Sequence, residues 1–197
     1  MQTAIDFDVD IDVANRKDLV CCLKHVPASI KTDQGLVKHN TGIYLQNIPI
    51  DPLVGYSTVD HKNAEQQGYF KVDILNNSVY KDVRDSTHLE KLMNTEPLWD
   101  LLEHQEVVEQ LFHINNYHWL LAQYKPSTVE QLAMLLALIR PSKKHLIGES
   151  WETIAQTIWD KPTDGGYYFK KSHALAYAMV VVVQLNLLCE KLAQGSA

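Results

Sequence analysis

Acidic and apolar residues alternate near the start of the chain, between Ile5 and Asp12. An alternation with a period of two is typical of a strand that turns one face to a core and the other to a polar cleft. The acidic positions of this predicted strand are Asp6, Asp8, Asp10 and Asp12. Because like charges on one face repel one another, and because hard divalent cations bind carboxylate oxygens, the pattern predicts a cation site.

A second predicted strand, residues 68–75, carries one further carboxylate. In it Lys71 and Asp73 are two residues apart, which places them on the same face of a strand. Two-metal phosphoryl-transfer sites are built from acidic residues on neighbouring strands. We therefore predict Mg²⁺ or Mn²⁺ as the cofactor, bound by carboxylates of the acidic strand together with Asp73. The alternation by itself does not select ligands among the four acidic positions.

From about residue 79 onward, the spacing of apolar residues changes from two to three and four, which is typical of helices. Ser127 is expected to be the N-cap of a helix, with Glu130 completing a capping box. Another should span Ser172 to Leu192, whose apolar run is interrupted by polar residues and is shorter than a membrane span. The pattern predicts an α+β fold, with a small sheet in residues 1–80 and a helical region in residues 81–197.

Composition and charge limit the possible functions. The chain has 197 residues, 46% of them hydrophobic, which is enough for a folded core. Its net charge of −6 argues against a protein that binds DNA by itself through a broad basic surface. The three cysteines show no metal-ligand spacing, and their odd number predicts a reducing, intracellular environment.

Several basic residues are candidate phosphate ligands. Lys170, Lys171 and His173 stand at the start of the last predicted helix, where backbone N–H groups favour anions. Taken without further information, these three residues favour an ordinary exposed turn with His173 on the helix surface. Arg140 ends an apolar helix and could cap its carbonyls or contact a phosphate. Lys71 could form a salt bridge with the acidic cluster or bind a phosphate.

Five segments, taken in chain order, resemble motifs of the polymerase core of the bacterial DNA polymerase III alpha subunit, a family C DNA polymerase. Residues 6–10 are similar to its acidic strand, and residues 39–42, His-Asn-Thr-Gly, to its His-Ala-Ala-Gly segment. Residues 68–75 are similar to Gly-Leu-Val-Lys-Phe-Asp-Phe-Leu. Residues 125–141 and 167–178 resemble two finger motifs, Ala-Leu-Tyr-Arg-Pro-Gly and Gly-Phe-Asn-Lys-Ser-His-Ala-Ala-Ala-Tyr-Ala.

The resemblance implies a mixed-sheet palm of the nucleotidyltransferase type, followed by a helical, fingers-like region. It makes Asp8, Asp10 and Asp73 the catalytic metal ligands, and leaves Asp6 and Asp12 behind these ligands or in solvent. It assigns nucleotide phosphates to the basic residues Lys71, Arg140, Lys170, Lys171 and His173. His39 becomes a supporting residue, although a lone histidine beside a strand is commonly a core residue. The implied substrates are a nucleoside triphosphate and a DNA primer-template, and the implied location is the cytoplasm of a bacterial host cell.

The chain also departs from the family. A Gly-Ser segment that contacts the triphosphate, most of the thumb, and a basic finger stretch have no counterpart. These gaps are typical of a strongly truncated, phage-encoded relative that needs a partner subunit to supply the missing segments. Two alternatives stay open: an enzyme that modifies nucleotides or DNA on the same metal site, and an inactive accessory or decoy protein derived from a polymerase.

Overall fold

A four-stranded mixed sheet organises the first of two units. The computed structural model describes residues 9–161 and 169–195 and divides into a sheet unit, Met1–Lys81, and a helical unit, Asp82–Ala197. The strands are β1 Val9–Val13, β2 Val26–Thr32, β3 Gly35–Tyr44 and β4 Lys71–Asn76. Their order is β1-β4-β3-β2, with β1 parallel to β4 and the other two pairings antiparallel. The predicted small mixed sheet, with helices beside it, is confirmed.

Apolar residues cover both faces of the sheet. On one face Ile43, Val72 and Ile74 are buried, and residues of helix α1, Arg16–Cys21, pack near them. On the other face Tyr44 packs with Ala64 of helix α2, His61–Gln66. Because β4 lies between β1 and β3, it is shielded from solvent at its centre, and Asp73 is therefore a buried carboxylate.

Two secondary-structure predictions for this unit are wrong. Pro27 and the polar residues up to Lys38 predict a loop, and Tyr56 to Asp60 predicts a short strand. The structure instead forms β2 and the start of β3 in the first of these stretches. Ile30 lies opposite Val37 there, and both side chains remain more than one third exposed. The strand expected at 56–60 is reduced to isolated bridges, and Asp60 instead caps α2 by accepting from the N–H groups of Lys62 and Asn63.

The helical unit is built around the pairing of its two most apolar helices. Its helices are α3 Ser86–Asn94, α4 Gln105–Val108, α5 His118–Tyr124, α6 Val129–Leu138, α7 Trp151–Thr157 and α8 Lys171–Gly195. Short 3₁₀ turns of this unit lie at Trp99–Glu103, Asn115–Tyr117 and Pro141–Leu146, and a further one, Ser78–Asp82, spans the boundary with the sheet unit. Helix α6 begins one residue later than predicted, since Thr128 rather than Ser127 is the N-cap and accepts from the N–H of Gln131.

Helix α8 is longer than its apolar sequence run. Among the residues that the structure describes, it is the one helix whose length and composition would allow it to cross a membrane, and half of its apolar window is buried inside the structure. Its polar interruptions have defined partners. Asn186 donates to the carbonyls of Leu92 and Thr95, each at 2.8 Å. Gln184 accepts from the N–H of Phe112 and donates to the carbonyl of Gln110.

Candidate metal and nucleotide site

Two of the predicted metal ligands are brought side by side in the sheet unit. Asp10 of β1 is the register partner of Asp73 of β4. Paired residues on neighbouring parallel strands project to the same face, and the strands run roughly 5 Å apart. Asp10 lies on an exposed edge, whereas Asp73 lies in the sheet interior. Asp6 and Asp8, which the sequence places in the same acidic strand, lie outside the described residues.

Asp73 is held at both carboxylate oxygens. The ammonium group of Lys71 forms an ion pair with Oδ2, and the Thr41 hydroxyl donates to Oδ1 at 2.7 Å. The side chains of Lys71 and Asp73 are only 21% and 12% exposed, so water screens this pair weakly. The salt bridge anticipated for Lys71 is therefore formed in this structure.

These contacts set the charge state of Asp73. Burial raises the pKa of its carboxyl group, but the hydrogen bonds from Lys71 and Thr41, together with the charge of Lys71, lower it further than burial raises it. The pKa in the folded protein is therefore below the ordinary value. Folding is stabilised by the ionised carboxylate above the unfolded-state pKa, and this contribution is lost as the pH falls through the folded-state pKa.

His39 supports the site as a neutral side chain. Its Nδ1 accepts from the backbone N–H of Gly42 at 2.9 Å and of Thr41 at 3.3 Å, so the ring proton belongs on Nε2. Burial lowers the pKa of His39, and the nearby charges of Lys71 and His61 act in the same direction, against the opposing charge of Asp73. The 3.7 Å approach of Nδ1 to Asp73 therefore joins two hydrogen-bond acceptors and is not an ion pair.

Gly42 makes room for this packing. It lies opposite Asp73 in the antiparallel β3–β4 pair. A Cβ atom at this position would lie 2.8 Å from Cδ of Lys71 and 3.1 Å from Nδ1 of His39. The absence of a side chain thus lets the Lys71 stem cross the strand and reach Asp73.

Replacing Thr41 with Val removes a hydroxyl group and keeps the branched shape. We expect the pKa of Asp73 to rise, since one hydrogen bond to the ionised carboxylate is lost, and the free energy of unfolding near pH 7 to fall by roughly 1–2 kcal/mol. A ¹³C NMR titration of the Asp73 carboxyl carbon measures this pKa. Thr41→Ser keeps the hydroxyl and serves as the control. An unchanged pKa in Thr41→Val would show that the hydrogen bond does not matter.

The donor set fits Mg²⁺ or Mn²⁺. Carboxylate oxygens are the ligands these ions prefer, and Mg²⁺ in nucleotide sites is commonly bound by one or two carboxylates together with substrate phosphates. Asp10 and Asp73 provide such a pair on one face of the sheet. Within residues 9–161 and 169–195, the structure contains no group of three or more His, Cys, Asp or Glu side chains that could hold a metal ion by itself.

The remaining predicted phosphate ligands lie in the helical unit, three of them around the start of α8 and the fourth, Arg140, after α6. Arg140 stands before the turn Pro141–Leu146, and its guanidinium carbon lies 4.5 Å from the centre of the Phe169 ring. Its Nε and Nη2 atoms are buried and have no hydrogen-bond acceptor among the described residues. One of the two roles predicted for Arg140 was to cap helix carbonyls. Its Nε and Nη2 atoms cap none in the part of the chain that the structure describes.

Three more basic residues follow Phe169 in the sequence. Lys171 is the first residue of α8, and its ammonium nitrogen lies 5.9 Å from the centre of the Trp159 ring. The carbonyl of Lys170 accepts from the N–H of Ala174 and so closes the first turn of the helix. His173 is half-buried within that turn. The predicted site residues that the structure describes thus form two groups. One lies on the sheet, and the other lies in the helical unit.

Sequence reasoning overlooked four residues around the carboxylates. Thr41 and Gly42 contact Asp73 and Lys71 as described, and the ring of His61 packs edge-on against His39, with ring centres 5.5 Å apart. Arg16 donates from Nη2 to the carbonyl of Thr41 at 3.3 Å. Two of the four had a visible signal, since Thr41 and Gly42 belong to the segment that is similar to His-Ala-Ala-Gly. Thr41 replaces an alanine of that segment with a side chain that can donate to a carboxylate, and Gly42 matches its glycine.

Comparisons with protein-family models, with curated proteins and with solved structures give no match to this chain. The candidate site therefore depends on its own geometry.

Proposed function

We propose that this chain is a strongly truncated relative of the polymerase core of the DNA polymerase III alpha subunit. In this proposal it transfers a nucleotide from a nucleoside triphosphate to the 3′-hydroxyl of DNA, on a palm-type sheet of the nucleotidyltransferase kind. The observation that carries the proposal is the register of Asp10 with Asp73 on parallel strands. The resemblance adds Asp8, two residues earlier in the sequence, as a third ligand.

Each sheet residue has a defined task in the proposed reaction. Asp10 and Asp73 would hold Mg²⁺ or Mn²⁺, which lowers the pKa of the attacking hydroxyl group and stabilises the leaving pyrophosphate when it is bound. Thr41 fixes the orientation of Asp73 through Oδ1. Lys71 supplies a positive charge beside Asp73, and an ammonium group is a suitable partner for a phosphate oxygen. His39 stays neutral and keeps the Thr41–Gly42 backbone in place.

The basic group of the helical unit is proposed to bind phosphates. The buried Nε and Nη2 atoms of Arg140 offer donors to an anion, and planar guanidinium groups match phosphate oxygens well. Lys170, Lys171 and His173 stand at the N-terminus of a 25-residue helix, where backbone N–H groups and the helix dipole favour negative charge. These features support, for all four residues, the role that the resemblance implies.

The acidic charge of the chain makes a partner part of this proposal. Binding of duplex DNA depends on Lys and Arg side chains that release counterions from the phosphates. A chain with 18 basic and 24 acidic residues supplies few of them. We therefore expect weak, distributive synthesis from the isolated protein, and stronger activity with a partner subunit that supplies basic, DNA-gripping surface.

Single-nucleotide incorporation tests the proposal. Purified protein, Mn²⁺, one deoxynucleoside triphosphate and a labelled primer-template at high concentration should extend the primer by one residue. The extension should require a template base complementary to the added nucleotide. Asp73→Asn is the inactive reference.

Each other result identifies an alternative. Addition to an unpaired strand, independent of the template, would contradict a polymerase and indicate terminal transfer. A modified nucleotide or base without extension, detected by mass spectrometry, would indicate a modifying enzyme on the same site. If no product forms even though Mn²⁺ binds, the account of an inactive accessory protein is favoured.

A further inference from the structure

The Lys71 ammonium group is paired with the Asp73 carboxylate, which a metal ion would need as a ligand. The carboxylate has two oxygens, of which Oδ1 accepts from Thr41 and Oδ2 is paired with the Lys71 ammonium group. A magnesium ion sits about 2.0–2.1 Å from each ligand oxygen. At that distance from Oδ2 its double positive charge would stand next to the charge of Lys71. The two cations therefore compete for one carboxylate.

The packing of Lys71 favours this position. A Cβ atom on residue 42 would lie 2.8 Å from the Cδ atom of Lys71, so the glycine leaves room for the Lys71 stem. The Lys71 side chain is only 21% exposed, so solvent offers its ammonium group limited hydration in this position. Lys71 and Asp73 thus form a closed pair in the resting sheet.

We propose that Lys71 is an internal counterion that weakens metal binding until a triphosphate arrives. This inference rests on the proposed function and concerns the regulation of the same site. The oxygens of a triphosphate attract the Lys71 ammonium group away from Oδ2. Asp73 is then free to bind the metal together with Asp10. Metal and triphosphate consequently strengthen each other's binding, since coupling between two ligands is reciprocal.

Removing the charge of Lys71 should affect metal binding and triphosphate binding in opposite directions. In Lys71→Met we expect Mn²⁺ alone to bind roughly tenfold more tightly than in the wild type, because the competing cation is gone. A non-hydrolysable nucleoside triphosphate analogue, measured in EDTA without metal, should bind more weakly, because it loses a cationic partner. Calorimetric titration of the whole chain measures the affinity for Mn²⁺. Fluorescence titration of a labelled analogue measures the affinity for the triphosphate.

Matched variants exclude simpler explanations. Lys31→Met makes the same change in net charge on β2, at the opposite edge of the sheet from β1, and should leave both affinities near the wild-type values. Lys71→Gln removes the charge but can still donate to Asp73, and replaces Lys71→Met if that variant does not fold. Lys71→Arg keeps the charge and should bind Mn²⁺ as weakly as the wild type.

The opposite signs of the two effects make the test decisive. If Mn²⁺ binds to the wild type but no more tightly to Lys71→Met and Lys71→Gln, the counterion role is contradicted while the metal site stands. Unchanged analogue binding would equally contradict the proposed coupling. If neither the wild type nor the variants bind Mn²⁺, both this inference and the proposed function fail.

Discussion

Replacing Asp73 with Asn is expected to reduce nucleotide transfer by roughly 10³-fold, which corresponds to about 4 kcal/mol of lost transition-state stabilisation. Asn has nearly the same shape, and its one amide oxygen can accept from Lys71 while its NH₂ group donates to the Thr41 hydroxyl oxygen. It lacks the negative charge that a divalent ion needs from its ligand. The fold should therefore persist while catalysis fails. Single-turnover incorporation at saturating primer-template measures the rate of transfer.

Asp12→Asn is the matched control for this experiment. Asp12 stands two residues after Asp10 on β1 and accepts from the side-chain amide of Asn77 at 3.1 Å. Asp12→Asn changes the net charge by the same amount as Asp73→Asn, on the neighbouring strand. We expect at most a few-fold change in the rate of transfer. Equal losses of activity in Asp12→Asn and Asp73→Asn would show a general electrostatic effect, and would contradict the role of Asp73 as a metal ligand.

Replacing Asn186 with Leu is expected to lower the free energy of unfolding of the helical unit by roughly 2–4 kcal/mol. Leu makes the apolar run of α8 more uniform, which simple hydropathy would favour. Asn186 is only 6% exposed, however, and its amide donates to the carbonyls of Leu92 and Thr95 at the end of α3. Leu would leave both carbonyls without this donor in a buried place.

The tryptophan residues make this prediction measurable in one unit. All four, Trp99, Trp119, Trp151 and Trp159, belong to the helical unit. Urea denaturation followed by tryptophan fluorescence therefore reports on that unit. Gln194→Leu, at an exposed position of the same helix, should change stability by no more than about 0.5 kcal/mol. If Asn186→Leu is as stable as the wild type, the amide bonds do not hold α3 against α8.

The alternation in the first strand was sufficient to predict the face of the site. Asp10 and Asp73 each alternate with apolar neighbours, and the register of β1 with β4 places them on one face, because a period of two fixes the side of every residue. The change to helical spacing after residue 79 also predicted where the strands end. These features depend on local periodicity, which a single sequence displays directly.

Contacts between distant segments were not predictable in this way. The bond from Thr41 to Asp73 joins residues 32 positions apart, and it depends on how β3 is paired with β4. The β2–β3 hairpin was missed because its exposed end mixes polar residues with Ile30 and Val37, which obscures the alternation. Asn186 interrupted the apolar run in the sequence, but only the structure shows that it caps the end of another helix.

Direct measurement of Mn²⁺ binding tests the central claim, that Asp10 and Asp73 form a metal site. Electron paramagnetic resonance detects free Mn²⁺ during titration with the whole chain, in the presence and absence of a non-hydrolysable triphosphate analogue. We expect the wild type to bind Mn²⁺, most tightly with the analogue, and Asp10→Asn/Asp73→Asn to lose this binding. Equal binding by the wild type and the double variant, or none by the wild type under either condition, would contradict the account.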